Sequence, residues 1–221
     1  MTKNEPGEYE DVINFVPAPL LNIERWEVFE IHANRDYYPI MNILLEGPKT
    51  VRELTAAYAK WCKERGSPKP KSDKTIYRYL KNLGEHGLVV PAGKRVAFGK
   101  TATETLYARS ADFIRYQDFP PHLWESRTAD RFVEGAATGL EWVFGDIKIN
   151  RERFKNFLIE FEDTIESYIH DFIIGATKEK HESIRAVEEH YFIDTALKYM
   201  GIFSIILKHP EIVEKLRDSM K

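Results

Sequence analysis

One stretch fixes most of the outline of this chain: Gly66-Ser67-Pro68-Lys69-Pro70-Lys71-Ser72-Asp73. Two prolines and a glycine bar an α-helix there, because proline lacks the amide proton and glycine is costly to order. Helical periodicity nevertheless runs up to this break and resumes beyond it. Upstream, Val51, Leu54, Tyr58 and Trp61 recur at spacings of 3, 4 and 3, which gathers them into one buried stripe. Thr50 followed by Glu53 has the Thr-x-x-Glu form of a capping box, so this helix starts at Thr50 and ends near Gly66. Downstream, Ile76, Leu80 and Leu83 stand at i, i+4 and i+7 and predict a helix over 73–86. Ser72 is its natural N-cap and Gly87 its left-handed terminator.

The flanks complete the outline. A helix fits 33–46, where Ile40, Met41, Ile43, Leu44 and Leu45 supply an apolar face and Gly47-Pro48 stops it. Leu88-Val89-Val90 reads as a short strand and Pro91-Ala92-Gly93-Lys94 as a turn. Arg95-Val96-Ala97-Phe98 then begins a return strand that runs on through 106–108 after a bend at Gly99-Lys100. Before all this, residues 1–22 are Pro-rich and acidic and read as an extended arm, with one candidate strand at Val12-Ile13-Asn14-Phe15-Val16. Residues 25–32 partly alternate, as a strand does.

From about 123 the period becomes 3.6 and stays there. One helix is expected over 123–143, a second from an Asn150 cap to about Ile174, and a third over 178–207. Pro210 opens a last short one, since the first turn of a helix tolerates proline. The expected fold class is mainly α with a small β-wing: an N-terminal winged helix-turn-helix domain, then an all-α domain. The expected divisions are an arm at 1–32, the winged domain at 33–118 and the helical domain at 119–221, with Asp118-Phe119-Pro120-Pro121 as the joint.

Charge follows the same division. The net charge of −3 hides a basic block: residues 50–100 hold 12 Lys/Arg against 4 Asp/Glu, while both flanks are acidic. A basic block between acidic ones suggests a face for nucleic acid; a solvated charged surface is the plainer alternative. At 43% hydrophobic residues the chain supports a real core. A lone cysteine, Cys62, excludes an internal disulfide and fits a reducing cytoplasm. No apolar run approaches the ~20 residues of a membrane span, and no signal peptide is expected from the N-terminal residues.

The order helix, helix, turn, helix, two-stranded hairpin is the outline of a winged helix-turn-helix. A short helix fits the major groove, and a loop beside it reaches backbone phosphate or the minor groove. The helix 73–86 has the apolar edge that docks it and a polar edge of donors. Candidate DNA contacts are Lys74, Thr75, Tyr77, Arg78 and Lys81 on the helix, Ser72 at its cap, Lys69 and Lys71 in the preceding link, and Lys94, Arg95 and Lys100 around the wing, 91–100. Arg78 is placed to fork onto a guanine edge, and Ser72 and Thr75 to meet phosphate at the positive helix end. The expected protein is a cytoplasmic, sequence-specific regulator of transcription that binds double-stranded DNA as a homodimer through its C-terminal helices. A winged helix that binds protein beside a helical scaffold is the alternative; a sensor of a ligand or metal is another.

Residues 43–54, Ile43-Leu44-Leu45-Glu46-Gly47-Pro48-Lys49-Thr50-Val51-Arg52-Glu53-Leu54, resemble the second-helix entry of ArsR-like winged-helix transcriptional regulators. Residues 75–89, Thr75-Ile76-Tyr77-Arg78-Tyr79-Leu80-Lys81-Asn82-Leu83-Gly84-Glu85-His86-Gly87-Leu88-Val89, resemble their recognition helix and first wing strand. Residues 99–109 are similar to the second wing strand of archaeal members. The resemblance covers about 33–115 and implies DNA recognition through 72–81 with the wing 91–100, on a palindromic operator bound by a homodimer. The link at 62–71 is longer and more basic than the tight turn usual in that family.

Other chemistry is thinner. Asp163, Glu166 and His170 share a helix face, and His190 and Asp194 stand at i, i+4, spacings that suit metal ligands; a solvated acidic stripe explains them as well. Cys62 has no partner thiol. Trp124, Trp142, Phe157, Phe161, Tyr168, Phe172, Tyr191, Phe192 and Tyr199 are candidates to line an effector cavity, although aromatics at helical spacing usually form core. The sequence holds no G-x-G-x-x-G, P-loop, H-E-x-x-H or G-x-S-x-G, so no enzyme, cofactor or metal is expected.

Overall fold

The computed structural model describes residues 9–98, 102–145, 147–185 and 190–219. The chain is mainly helical, with one sheet of three antiparallel strands and one of two strands. Its contacts divide it into two compact units, Met1–Ile114 and Arg115–Lys221. The first unit runs β1 (Tyr9–Ile13), β2 (Ala18–Ile23), α1 (Trp26–His32), α2 (Tyr38–Ile43), α3 (Val51–Arg65), α4 (Asp73–Glu85), β3 (Val89–Ala97) and β4 (Thr103–Arg109), and β5 (Ala111–Tyr116) leads out of it.

The capping signals read from sequence form as hydrogen bonds. Glu53 N donates to Thr50 Oγ1 over 3.3 Å and Thr50 N to Glu53 Oε2 over 2.9 Å, which satisfies amides that a first helical turn leaves open. Thr75 N donates to Ser72 Oγ over 3.4 Å at the start of α4. Gly66 ends α3 at φ 71°, a left-handed conformation that suits a residue without Cβ. α2 packs on α3 and α3 on α4 around Ile40, Met41, Leu54, Tyr58, Ile76, Leu80 and Leu83, all fully buried. Each aliphatic side chain of this size contributes about 1.5–3 kcal/mol by leaving water.

Several elements differ from what the sequence predicts. Pro91-Ala92-Gly93-Lys94 is not a turn but the interior of β3, with a register shift between Pro91 and Gly93. The reversal falls after Ala97 and before Thr103, where residues 99–101 lie outside the described residues. The reason is β1: it pairs antiparallel along the far edge of β3, from Tyr9↔Ala97 to Ile13↔Gly93, and holds it extended. Pro91 lies just past the end of that pairing, where its missing amide proton removes no ladder bond to β1. The stretch 25–32 is not a strand: Arg25 caps helix α1, which runs Trp26–His32 and buries Val28 and His32, one helical turn apart. The helix expected over 33–46 shortens to α2 and a 3₁₀ turn at Leu44–Glu46. Asn34 Oδ1 accepts from Asp36 N over 2.9 Å, a side-chain turn that competes with the helix.

The stretch 9–32 is therefore built into the first unit rather than trailing from it as an arm. β2 pairs with β5, and Ala18 N donates to Ser110 O over 2.9 Å. The second unit opens with a 3₁₀ helix at Pro121–Glu125, followed by α5 (Arg127–Phe144), α6 (Arg151–Gly175), α7 (Lys178–Arg185), α8 (His190–Lys208) and α9 (Glu211–Ser219). Asn150 caps α6 as expected, its Oδ1 accepting from Arg153 N over 3.1 Å. α5, α8 and α9 all pack on α6. Trp124, Ala129, Val133, Ala137, Ile149 and Phe154 form one core cluster of this unit. The helix expected over 178–207 comprises α7 and α8, and residues 186–189 between them lie outside the described residues.

Candidate nucleic-acid interface

α4 has two faces of opposite character. Ile76, Leu80 and Leu83 are buried to 0–1% exposure, whereas Lys74, Arg78 and Lys81 are exposed and Tyr77 is 54% exposed. Lys81 stands 3.8 Å from Glu85, a solvated pair of little energetic weight. Ser72 and Thr75 hold each other at the positive end of the helix, with their hydroxyl oxygens 3.2 Å apart. Their first role is to cap.

The link before α4 is anchored by a side chain far away in sequence. Lys71 Nζ lies 3.0 Å from Asp36 Oδ2, Tyr79 OH donates to the same oxygen over 2.9 Å, and Tyr58 OH donates to the Asp36 carbonyl over 3.0 Å. Burial pushes the Asp36 carboxyl up, but hydrogen bonds from Lys71 and Tyr79 outweigh it and hold the group below the usual aspartate value. The hydrogen bond to Asp36 likewise raises the Lys71 ammonium above its ordinary value. Lys71 thus fixes the link onto the unit, while Lys69 stays exposed.

Arg95 is also turned inward. Its Nε and Nη2 donate to both Asp11 carboxylate oxygens over 2.6 and 2.7 Å, and Nη1 donates to Glu53 Oε1 over 2.6 Å. Its guanidinium carbon lies 3.9 Å from the centre of the Tyr9 ring, and the side chain is only 13% exposed. This bidentate pairing holds β1 to β3 and β3 to the first turn of α3. Burial raises the Glu53 carboxyl, yet Arg95 and the Thr50 cap together leave it below its ordinary value. Lys94, one residue earlier, points to the other side of the strand and is exposed; Lys100 lies outside the described residues.

Sequence reasoning missed Arg52, which is 80% exposed at the start of α3 and 3.7 Å from Glu104 on β4. Lys49 pairs with Tyr107 through two backbone hydrogen bonds of 3.0 and 2.9 Å, which sets the start of α3 beside β4. Val51, Arg52, Asp73, Tyr77, Glu104, Thr105 and Tyr107 line a cleft of about 280 Å³ there. Its place in the basic block was visible; its closeness to α4 and β4 was not. Asp11, Asp36 and Glu53 were missed as anchors because their partners are 84, 35 and 42 residues away.

The other candidate chemistry disperses. Glu166 Oε2 accepts from Arg115 Nη1 at 2.5 Å, whereas His170 is exposed beside Asp171. Among the described residues no group of three or more His, Cys, Asp and Glu is gathered for a metal ion. Cys62 is buried, and burial pushes its thiol up, away from the reactive thiolate. Trp124 is core and stacks on Phe119, Trp142 is 85% exposed, Tyr168 bonds His209, and Tyr199 is 56% exposed. The side chains of Tyr191 and Phe192 lie outside the described residues. No helix among the described residues is long and apolar enough to cross a membrane. Scanned against models of known protein families and against curated proteins, the chain matches none.

Proposed function

We propose that the first unit is a winged helix-turn-helix domain that binds double-stranded DNA, with α4 in the major groove and the β3–β4 hairpin as the wing. The carrying observation is the division of α4: a buried apolar edge opposite exposed Lys74, Arg78 and Lys81, at the end of a capped, anchored helix. That is the arrangement direct base readout needs, since docking and donors occupy opposite sides of one short helix. Arg78 is the base-reading residue. Lys74, Lys81, Lys94 and Lys69 meet phosphate, with Arg52 joining them at the cleft and Tyr77 on the sugar-phosphate edge. Lys71 and Arg95 leave the contact set and take a structural part instead; Ser72 and Thr75 contribute helix-end amides more than hydroxyls.

The protein acts in this reading as a homodimeric regulator of transcription, with the second unit pairing the copies. Selection of bound duplexes from a random library tests it. A palindromic consensus is the expected result, and an unenriched pool overturns the reading. Arg78→Ala relaxes preference at one base position and costs about 1–3 kcal/mol.

A further inference from the structure

α8 is apolar on two opposite sides. Leu197, Gly201 and Ile205 are buried on the side that meets α6, where a Cβ at Gly201 would come within 2.9 Å of Ile165 Cγ2. On the other side Tyr199, Phe203, Ile206 and Leu207 are 56, 57, 50 and 82% exposed. They stand at i, i+4, i+7 and i+8, and Tyr199 stacks on Phe203 with ring centres 6.0 Å apart. A helix that is apolar all round is stable when both sides are covered. α8 does not qualify as a membrane span.

We infer that this stripe is the seam between two copies of the chain, with α8 crossing its counterpart antiparallel at Phe203. The charges of α8 favour a second copy over a charged occupant. From 195 to 207 the only charged residue is Lys198, and it reaches Asp118 at 3.0 Å and Glu162 at 3.8 Å. Asp194 is held 3.9 Å from Arg115, and Lys208 lies over the Tyr168 ring at 4.9 Å. The outward face is therefore neutral, so laying it on itself opposes no like charges, and it offers nothing to an acidic or basic partner. The apolar side chains are also arranged about one residue. Tyr199 and Leu207 lie four positions either side of Phe203, so a two-fold axis there sets each Tyr199 on the other copy's Leu207. The four residues expose roughly 500 Å², somewhat over half of the ~800 Å² each partner gives a standard interface.

The inference deepens the dimer of the proposed function, but its test needs no DNA, so the two can fail separately. Sedimentation velocity of the full chain at about 20 µM is expected to give twice the 25.8 kDa chain mass. Phe203→Glu and Ile206→Glu, both on the exposed face, are expected to give monomer with an unchanged far-ultraviolet spectrum, weakening association at least about tenfold. Phe203→Cys is expected to yield a covalent dimer with a short bismaleimide, against a background of one buried cysteine, while Gly135→Cys on α5 does not. A monomeric parent chain, a dimer that survives Phe203→Glu, or cross-linking at Gly135→Cys in place of Phe203→Cys would overturn the seam. DNA binding by a monomeric parent would then leave the DNA reading standing without it.

Discussion

Two neighbouring residues of the hairpin separate stability from the proposed DNA binding. Arg95 holds Asp11 and Glu53 and covers Tyr9, whereas Lys94 is exposed. Arg95→Ala leaves two carboxylates without their partner and is expected to cost about 1–3 kcal/mol in chemical denaturation. Lys94→Ala is expected to leave the melting curve in place and to weaken all duplexes alike. Swapped outcomes would exchange the two roles. Acid–base behaviour divides in the same way between Asp36 and Asp194. Asp36 is held below its ordinary 3.8, so the folded chain gains from its charge above that value and loses the gain as pH falls through the lowered pKa. The group is 37% exposed, so Asp36→Asn should cost no more than about 1 kcal/mol at pH 7, and the cost should shrink as pH falls through the lowered pKa. For Asp194 burial outweighs the attraction of Arg115 and the hydrogen bond from the Tyr116 backbone, while Asp118 and Glu166 add to the rise, and its pKa reaches about 7. Between about pH 4 and pH 7 the folded chain keeps a proton that the unfolded chain has released, so stability falls as pH rises through that window. Asp194→Asn imitates the protonated form. Its melting temperature relative to the parent should climb from pH 5 to pH 8; an offset independent of pH would rule this out.

At the scale of elements, the caps and the register carry the fold. Thr50→Ala removes one half of the capping box and is expected to cost about 1 kcal/mol. Gly93 is a tighter constraint. A Cβ there would run into the Val12 carbonyl oxygen and come within 2.9 Å of Ile13 Cα, both backbone atoms of β1. Backbone on both strands cannot yield as a side chain does, so Gly93→Ala should strip β1 from β3 and expose 9–13 to protease while α3 and α4 remain helical. An unchanged digestion pattern would show that β1 does not depend on this approach. β1 is also the element least visible in sequence. Residues 9–13 alternate weakly, and what makes them a strand is the edge of β3 and the Arg95 pairing, 84 residues away.

For the whole molecule, the net charge of −3 says little, because the basic residues are concentrated in 50–100 and only some of them face outward. If α4 binds DNA as proposed, affinity should fall steeply with salt, since each phosphate met releases condensed counterions. Lys74→Ala, Lys81→Ala and Lys94→Ala are each expected to flatten the slope of log affinity against log salt by about 1. Arg95→Ala and Lys71→Ala should leave the slope unchanged, measured by titration at several salt concentrations. A slope that responds to Arg95 and not to Lys94 would reverse the assignment of the two sides of β3.

What the sequence by itself determined were the features whose cause is local. The break at 66–72, the caps at Thr50, Ser72 and Asn150, and the stripe of α4 all depend on residues within two turns of one another, so spacing alone reveals them; in α3 spacing found Leu54 and Tyr58, while Val51 and Trp61 stay half-buried and Cys62 is buried beside them. Tertiary structure decided what depends on distant partners. β3 runs straight through Pro91-Ala92-Gly93-Lys94 because β1 holds its edge. Residues 26–32 coil into α1 because the core buries Val28 and His32 on one side. Lys71 and Arg95 have the same formal charge as Lys69 and Lys94, yet Asp36, Asp11 and Glu53 draw them inward. A residue's charge is written in the sequence; the direction in which it points is set by the carboxylates that folding brings within 3 Å of it.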